Sequence, residues 1–119
     1  MMKVLIVDDS TFSAELIKSI IEKENVEYLH AYSGNDAVTM FEKSEVGEID
    51  IILMDIVMED GYGNEAADKI RQLDRADAST VKIYATTAFK AFDFRDKGHS
   101  FNGALFKPFE RDALNELIK

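Results

Sequence analysis

Cysteine is absent from this sequence. That excludes a disulfide framework, a thiol nucleophile and any thiolate-bound metal, and it fits a reducing compartment. Proline occurs once, at Pro108, so no proline-rich linker divides the chain. Long apolar runs are missing as well. Near the N-terminus Val4-Leu5-Ile6-Val7 stops at Asp8-Asp9, too short for a signal-peptide core. Nothing approaches the roughly 18 consecutive apolar residues of a spanning segment. Positive charge is scarce: Lys and Arg number 14 against 23 Asp and Glu, a net charge of −9. Such a surface repels phosphate backbones and anionic lipid, which argues against direct nucleic-acid or membrane binding. There are no internal repeats and no low-complexity stretches.

What remains is one domain's worth of ordinary globular sequence. The 119 residues are 46% hydrophobic and 31% charged, which argues against disorder. Val4 to Val7 and Ile51 to Met54 are short, continuous apolar runs, as expected of strands buried on both faces. Phe12, Leu16, Ile17, Ile20 and Ile21 then recur at helical spacing, with Ser10 or Thr11 placed to cap. Val26 to Tyr32 reads as a more polar strand. Ser33-Gly34-Asn35-Asp36 resembles a capping box ahead of Ala37, Val38 and Phe41. A loop is expected from Val57 to Gly63, and a third helix is marked by Ala66, Ala67, Ile70 and Leu73. Val81 to Thr86 and Ala104 to Phe106 are further strands. Lys90 to Lys97 has room for a short helix, and Phe109, Ala113, Leu114, Leu117 and Ile118 mark the last one. Five β-α alternations predict an α/β domain with a parallel sheet, helices on both faces and right-handed crossovers.

In such a sheet, ligands bind beyond the carboxyl ends of the strands. Asp8 and Asp9 follow the first strand, Asp55 ends the third, Thr86 and Thr87 end the fourth, and Lys107 ends the fifth. Taken singly, each has an ordinary explanation: a turn residue, a surface pair, a β-branched strand end. Together they share one edge. Three carboxylates held close repel one another and call for a cation. Hard oxygen ligands, with no Cys and no nearby His, favour Mg²⁺. Lys107 and a threonine hydroxyl are then placed to contact the oxygens of a bound anion.

This constellation resembles the receiver domain of two-component response regulators. The resemblance covers essentially the whole chain as a single domain, residues 1–119. It rests on Val4-Leu5-Ile6-Val7-Asp8-Asp9-Ser10, Ile52-Leu53-Met54-Asp55-Ile56-Val57-Met58, Ala85-Thr86-Thr87-Ala88 and Phe106-Lys107-Pro108-Phe109. The segment Ile70 to Arg75 is similar to receivers of hybrid histidine kinases. The resemblance implies a flavodoxin-like, doubly wound (βα)5 fold with strand order 2-1-3-4-5. It implies an aspartyl-phosphate switch in the cytoplasm, charged by a sensor histidine kinase or phosphotransfer protein and read by an output partner. Asp55 would be the phosphoacceptor. Asp8, Asp9, Asp55 and the Val57 backbone carbonyl would hold Mg²⁺. Thr87 and Lys107 would bind the phosphoryl group, and the Lys107–Pro108 bond would be cis.

Three departures from the family pattern stand out. Glu59 occupies a position that is usually proline, which is expected to loosen the loop after the acceptor and add negative charge. Ala104 stands where a switch aromatic usually sits. The stretch from Thr87 to Lys107 is about two residues short and carries Phe89, Phe92, Phe94 and Phe101, as core or as a docking patch. His30 and His99 carry no motif. Two rival functions are a Mg²⁺-dependent aspartyl phosphatase and a constitutive interaction module. The first usually wants an acidic residue where Val57 stands. The second is disfavoured by the intact Asp9, Asp55, Thr87 and Lys107.

Overall fold

A computed structural model describes residues 2–59, 61–88 and 98–118. The first apolar run is the middle of the sheet. Strand β1 (Met2–Val7) pairs in parallel with β2 (Val26–Ala31) on one side and with β3 (Ile51–Asp55) on the other. Strand β6 (Lys82–Thr87) adds beside β3, and β7 (Gly103–Phe106) closes the far edge. The order is β2-β1-β3-β6-β7, all parallel. Counting only these five long strands, that is the expected 2-1-3-4-5. The two small strands β4 (Val57–Met58) and β5 (Gly61–Tyr62) lie outside this sheet.

Alternation along β1 sorts its side chains into two layers, because successive residues of a strand face opposite ways. Leu5 and Val7 pack with Ala37, Phe41, Ala66, Ala67 and Ile70, the buried faces of α2 (Gly34–Lys43) and α3 (Gly63–Arg71). Val4 and Ile6 pack with Ala14, Ile17, Leu114 and Ile118, from α1 (Thr11–Ile20) and α4 (Arg111–Ile118). All four β1 residues are fully buried, and each such side chain stabilises the fold by about 1.5–3 kcal/mol.

The caps follow the sequence closely. Ser10 accepts a hydrogen bond from the Ser13 amide at 3.2 Å, and Ser33 accepts one from the Asp36 amide at 3.0 Å. Strand ends differ from expectation by one or two residues. The last helix begins at Arg111, so Phe109 packs from the loop before it. Leu73 likewise lies beyond the end of α3 and packs on the core from there. The expected helix at Lys90 to Lys97, with Phe89, Phe92 and Phe94, lies outside the described residues. Phe101 is half-buried against Ala85, Ala104 and Ile56, a packing role.

Two arginines, Arg71 and Arg75, tie the loops to the helices. Arg75 lies 4.5 Å over the Phe41 ring, donates to the Phe41 carbonyl at the end of α2 (2.6 Å) and pairs with Asp77 (2.6 Å). Arg71, at the end of α3, donates to the carbonyls of Ala78, Val81 and Ser100 and to Asn102 Oδ1. Among the described residues, no helix is long and apolar enough to cross a membrane.

Candidate metal and phosphoryl site

The registers bring the predicted residues to one edge. Val7 is level with Met54, Asp55 with Thr86, and Thr87 with Phe106. Asp8, Asp55, Thr87 and Lys107 therefore emerge from adjacent strands at the carboxyl end of the sheet. The chain winds to opposite sides of β1 at this point, so a crevice opens there.

Asp8 and Asp55 are buried and Asp9 is exposed, yet one oxygen from each lies within 4.8 Å of the others. Lys107 Nζ lies 3.1 Å from Asp8 Oδ2 and 3.6 Å from Asp55 Oδ2. Asp8 Oδ1 accepts the Ser10 amide at 2.9 Å, and Asp9 Oδ2 accepts the Glu59 amide at 3.1 Å. The Lys107–Pro108 bond is cis. Thr87 is buried, and its carbonyl accepts the Lys107 amide at 2.8 Å. A cleft of about 360 Å³ opens over these groups, lined by Asp55, Val57, Thr87, Ala88 and Lys107.

Burial pushes the Asp55 carboxyl up from 3.8 to about 6. Lys107 opposes that rise, while Asp8 and Asp9 add to it. When ionised, three carboxylates and one ammonium leave two negative charges uncompensated. A hard divalent cation matches both that charge and that all-oxygen donor set.

The backbone around Asp55 admits no extra atom. A Cβ on Gly63 would lie 2.0 Å from the Asp55 carbonyl oxygen and 2.9 Å from Met54 Cγ. The Gly63 amide donates to Ile56 O at 2.7 Å, folding the segment after Asp55 back onto α3.

A model of the response regulator receiver domain matches residues 4–119. The chain belongs to the response regulator receiver family. Receivers of this family are signalling domains of two-component phosphorelays. This receiver is 30% identical, over 98% of its length, to the chemotaxis protein CheY of Halobacterium salinarum, covering 92% of that protein. It is also 30% identical to hybrid signal transduction histidine kinase L of Dictyostelium discoideum. There it covers 98% of this chain but spans only 7% of the kinase. Among solved structures, chemotaxis protein CheY4 of Vibrio cholerae superposes with a TM-score of 0.83 at 24% identity, covering 99% and 96% of the two chains. The receiver domain of a Pseudomonas aeruginosa sensor histidine kinase superposes with a TM-score of 0.83 at 25% identity, covering 98% and 93%. That structure holds a magnesium ion in its active-site cleft.

The loop after Asp55 differs from the sequence expectation. Val57 and Met58 pair antiparallel with Tyr62 and Gly61, so a small hairpin replaces the expected loop. Gly61, at φ +134°, occupies a backbone region that side chains avoid. Glu59 lies between the two strands of this hairpin. Its amide ties the hairpin to Asp9, a bond that proline, lacking an N–H, cannot make. Met58 is buried with α2 and α3 rather than lining the cleft. At the aromatic-switch position, Ala104 packs on Ile56, Ala85 and Phe101. The sequence reading missed two contributors altogether. One is the Ser10 amide, which holds Asp8 while the Ser10 hydroxyl caps α1. The other is His30, whose Nε2 lies 2.8 Å from the Asp8 backbone oxygen.

Proposed function

We propose that this receiver accepts a phosphoryl group on Asp55 from the phosphohistidine of a sensor kinase or phosphotransfer protein, in the cytoplasm. The observation that carries this reading is the three-carboxylate cluster with Lys107 reaching two of its members at the mouth of an open cleft. In the reaction, a carboxylate oxygen of Asp55 attacks phosphorus. The new P–O bond forms as the P–N bond to the donor imidazole breaks, and the imidazole leaves with its electron pair and takes up a proton. A carboxylate is a weak nucleophile, so the site has to position the partners and neutralise charge.

The donor set fits Mg²⁺ held by Asp8, Asp9, Asp55 and the Val57 backbone carbonyl, where it would supply charge neutralisation. The related Pseudomonas receiver with magnesium in its cleft supports this assignment. Lys107 screens Asp55 before transfer and pairs with the phosphoryl oxygens after it. Thr87, buried at the cleft wall, donates its hydroxyl to one of them. The dianion on Asp55 thus interacts differently with Thr87 and Lys107 than a carboxylate does. That difference shifts the conformational equilibrium read by an output partner. With Ala at position 104, the shift runs through Thr87 rather than through an aromatic rotamer.

Incubation with acetyl phosphate and Mg²⁺, followed by intact-mass measurement, tests the reading. Wild type is expected to gain one phosphoryl group and Asp55→Asn none. A turnover of acetyl phosphate without a stable adduct would indicate a phosphatase, and no adduct at all an interaction module. A phosphoryl group retained at wild-type level in Asp55→Asn places the acceptor elsewhere.

A further inference from the structure

We infer that His30 is a positioning residue for the acidic site, acting through the peptide that joins Asp8 to Asp9. The inference rests on the metal-site reading above. His30 lies on β2, level with Ile6 of β1. The Asp8 amide makes the last ladder bond, to Ala31 O at 3.1 Å. Strand β2 ends there. The Asp8 carbonyl is met by a side chain: His30 Nε2 lies 2.8 Å from it. A carbonyl oxygen only accepts, so Nε2 carries the proton. The ring is also packed against Tyr32, with centroids 4.0 Å apart and planes 31° apart. It is thereby fixed in orientation.

Asp8 is consequently gripped at every polar atom: N–H by Ala31, C=O by His30, Oδ1 by Ser10 and Oδ2 by Lys107. The His30 bond has a particular consequence. A peptide unit is planar and resists twisting. Anchoring its oxygen therefore sets the plane from which both Asp8 and Asp9 project. Two adjacent carboxylates that must converge on Asp55 repel each other, and an unanchored peptide relieves that repulsion by rotating them apart. His30 opposes the rotation without touching the ligands' carboxylates or a substrate.

The test compares His30→Phe, which keeps a ring against Tyr32 but has no donor, with His30→Gln, which retains an N–H donor. Mg²⁺ affinity is measured by titration calorimetry and unfolding by urea. In His30→Phe, Mg²⁺ binding should weaken roughly tenfold, the scale seen for residues that orient metal ligands. Phosphorylation by acetyl phosphate should slow in proportion at low Mg²⁺ and recover at saturating Mg²⁺. His30→Gln should recover most of the affinity. A merely structural histidine would lower stability and leave the affinity unchanged, and that result overturns the inference. If His30→Phe does not fold, long-range ¹H–¹⁵N spectra of wild type decide: a proton on Nε2 is expected, and one on Nδ1 alone overturns the inference. Failure of wild type to bind Mg²⁺ overturns the underlying site reading instead, and the inference with it.

Discussion

Two clusters of one lysine and three acidic residues sit at opposite ends of the same sheet. At the amino end, Lys3 Nζ lies 2.6 Å from Glu48 and 3.8 Å from Glu27, while its amide donates to Asp50 at 2.8 Å. At the carboxyl end, Lys107 faces Asp8 and Asp55, with Asp9 alongside. The compositions match, but the electrostatic outcomes are opposite. The hydrogen bond from Lys3 holds the Glu48 carboxyl below its usual range, and the same bond raises Lys3. Burial instead lifts Asp55 to about 6. Water screens the first cluster and lets it relax. The second is shielded from water and left short of positive charge, so it stores repulsion that a cation can release. Chemistry belongs at the cluster that cannot satisfy itself.

Removing each lysine should expose this difference most strongly. Lys107→Ala leaves Asp8, which is 1% exposed, facing Asp55 without its ion pair. Breaking a buried pair from one side is expected to cost about 3 kcal/mol in metal-free buffer at pH 7, read by urea unfolding. Lys3→Ala, at the solvated end, should barely move the midpoint. Equal losses would show that burial does not separate the two clusters.

Asp55→Asn should act in the other direction. The folded-state value of Asp55 lies above the unfolded one, so the folded protein holds more protons between pH 3.8 and about 6. Wild-type stability therefore receives a penalty that grows as pH rises through that window and is complete above it. The amide variant has no such penalty and should be more stable than wild type by about 2 kcal/mol at pH 7, with the gap closing below pH 4. Urea midpoints across this range check it. A gap that does not depend on pH would assign the gain to packing instead.

The smallest expected effect sharpens the comparison within the carboxyl-end cluster, between exposed Asp9 and buried Asp8. Glu59→Pro deletes the N–H that holds Asp9 and should cost about 1 kcal/mol of metal-free stability. Glu59→Ala keeps that N–H and should cost little. Identical losses in the two variants would mean that the carboxylate of Glu59, not its amide, matters at this position.

The sequence carried the parts of this molecule that depend on pattern. Val4 to Val7 and Ile51 to Met54 announced central strands because both faces of a parallel strand are covered. The site followed because the residue after each strand must fall on one edge. The hairpin after Asp55 was not legible, since Val57, Met58, Gly61 and Tyr62 form too short a stretch for any periodicity. Neither was the part played by His30, Arg71 and Arg75. Each donates to backbone carbonyls, 22 residues away for His30 and 34 for the longest Arg75 bond. Every residue has a carbonyl, so such a bond leaves no mark on the identity of its acceptor. Glu59 shows the converse: its side chain drew attention, while its amide makes the contact.

Gly63 has a mechanical consequence. There is room for no further atom between it and the Asp55 carbonyl, so the joint between Asp55 and helix α3 is tight. A displacement of the Asp55 peptide would press directly on the first turn of α3. The far end of that rod is clamped by Arg71 to the chain at Ala78, Val81 and Ser100. Helix α3 is thus built as a push rod, seated at one end on Asp55 and anchored at the other in the segments just ahead of β6 and β7.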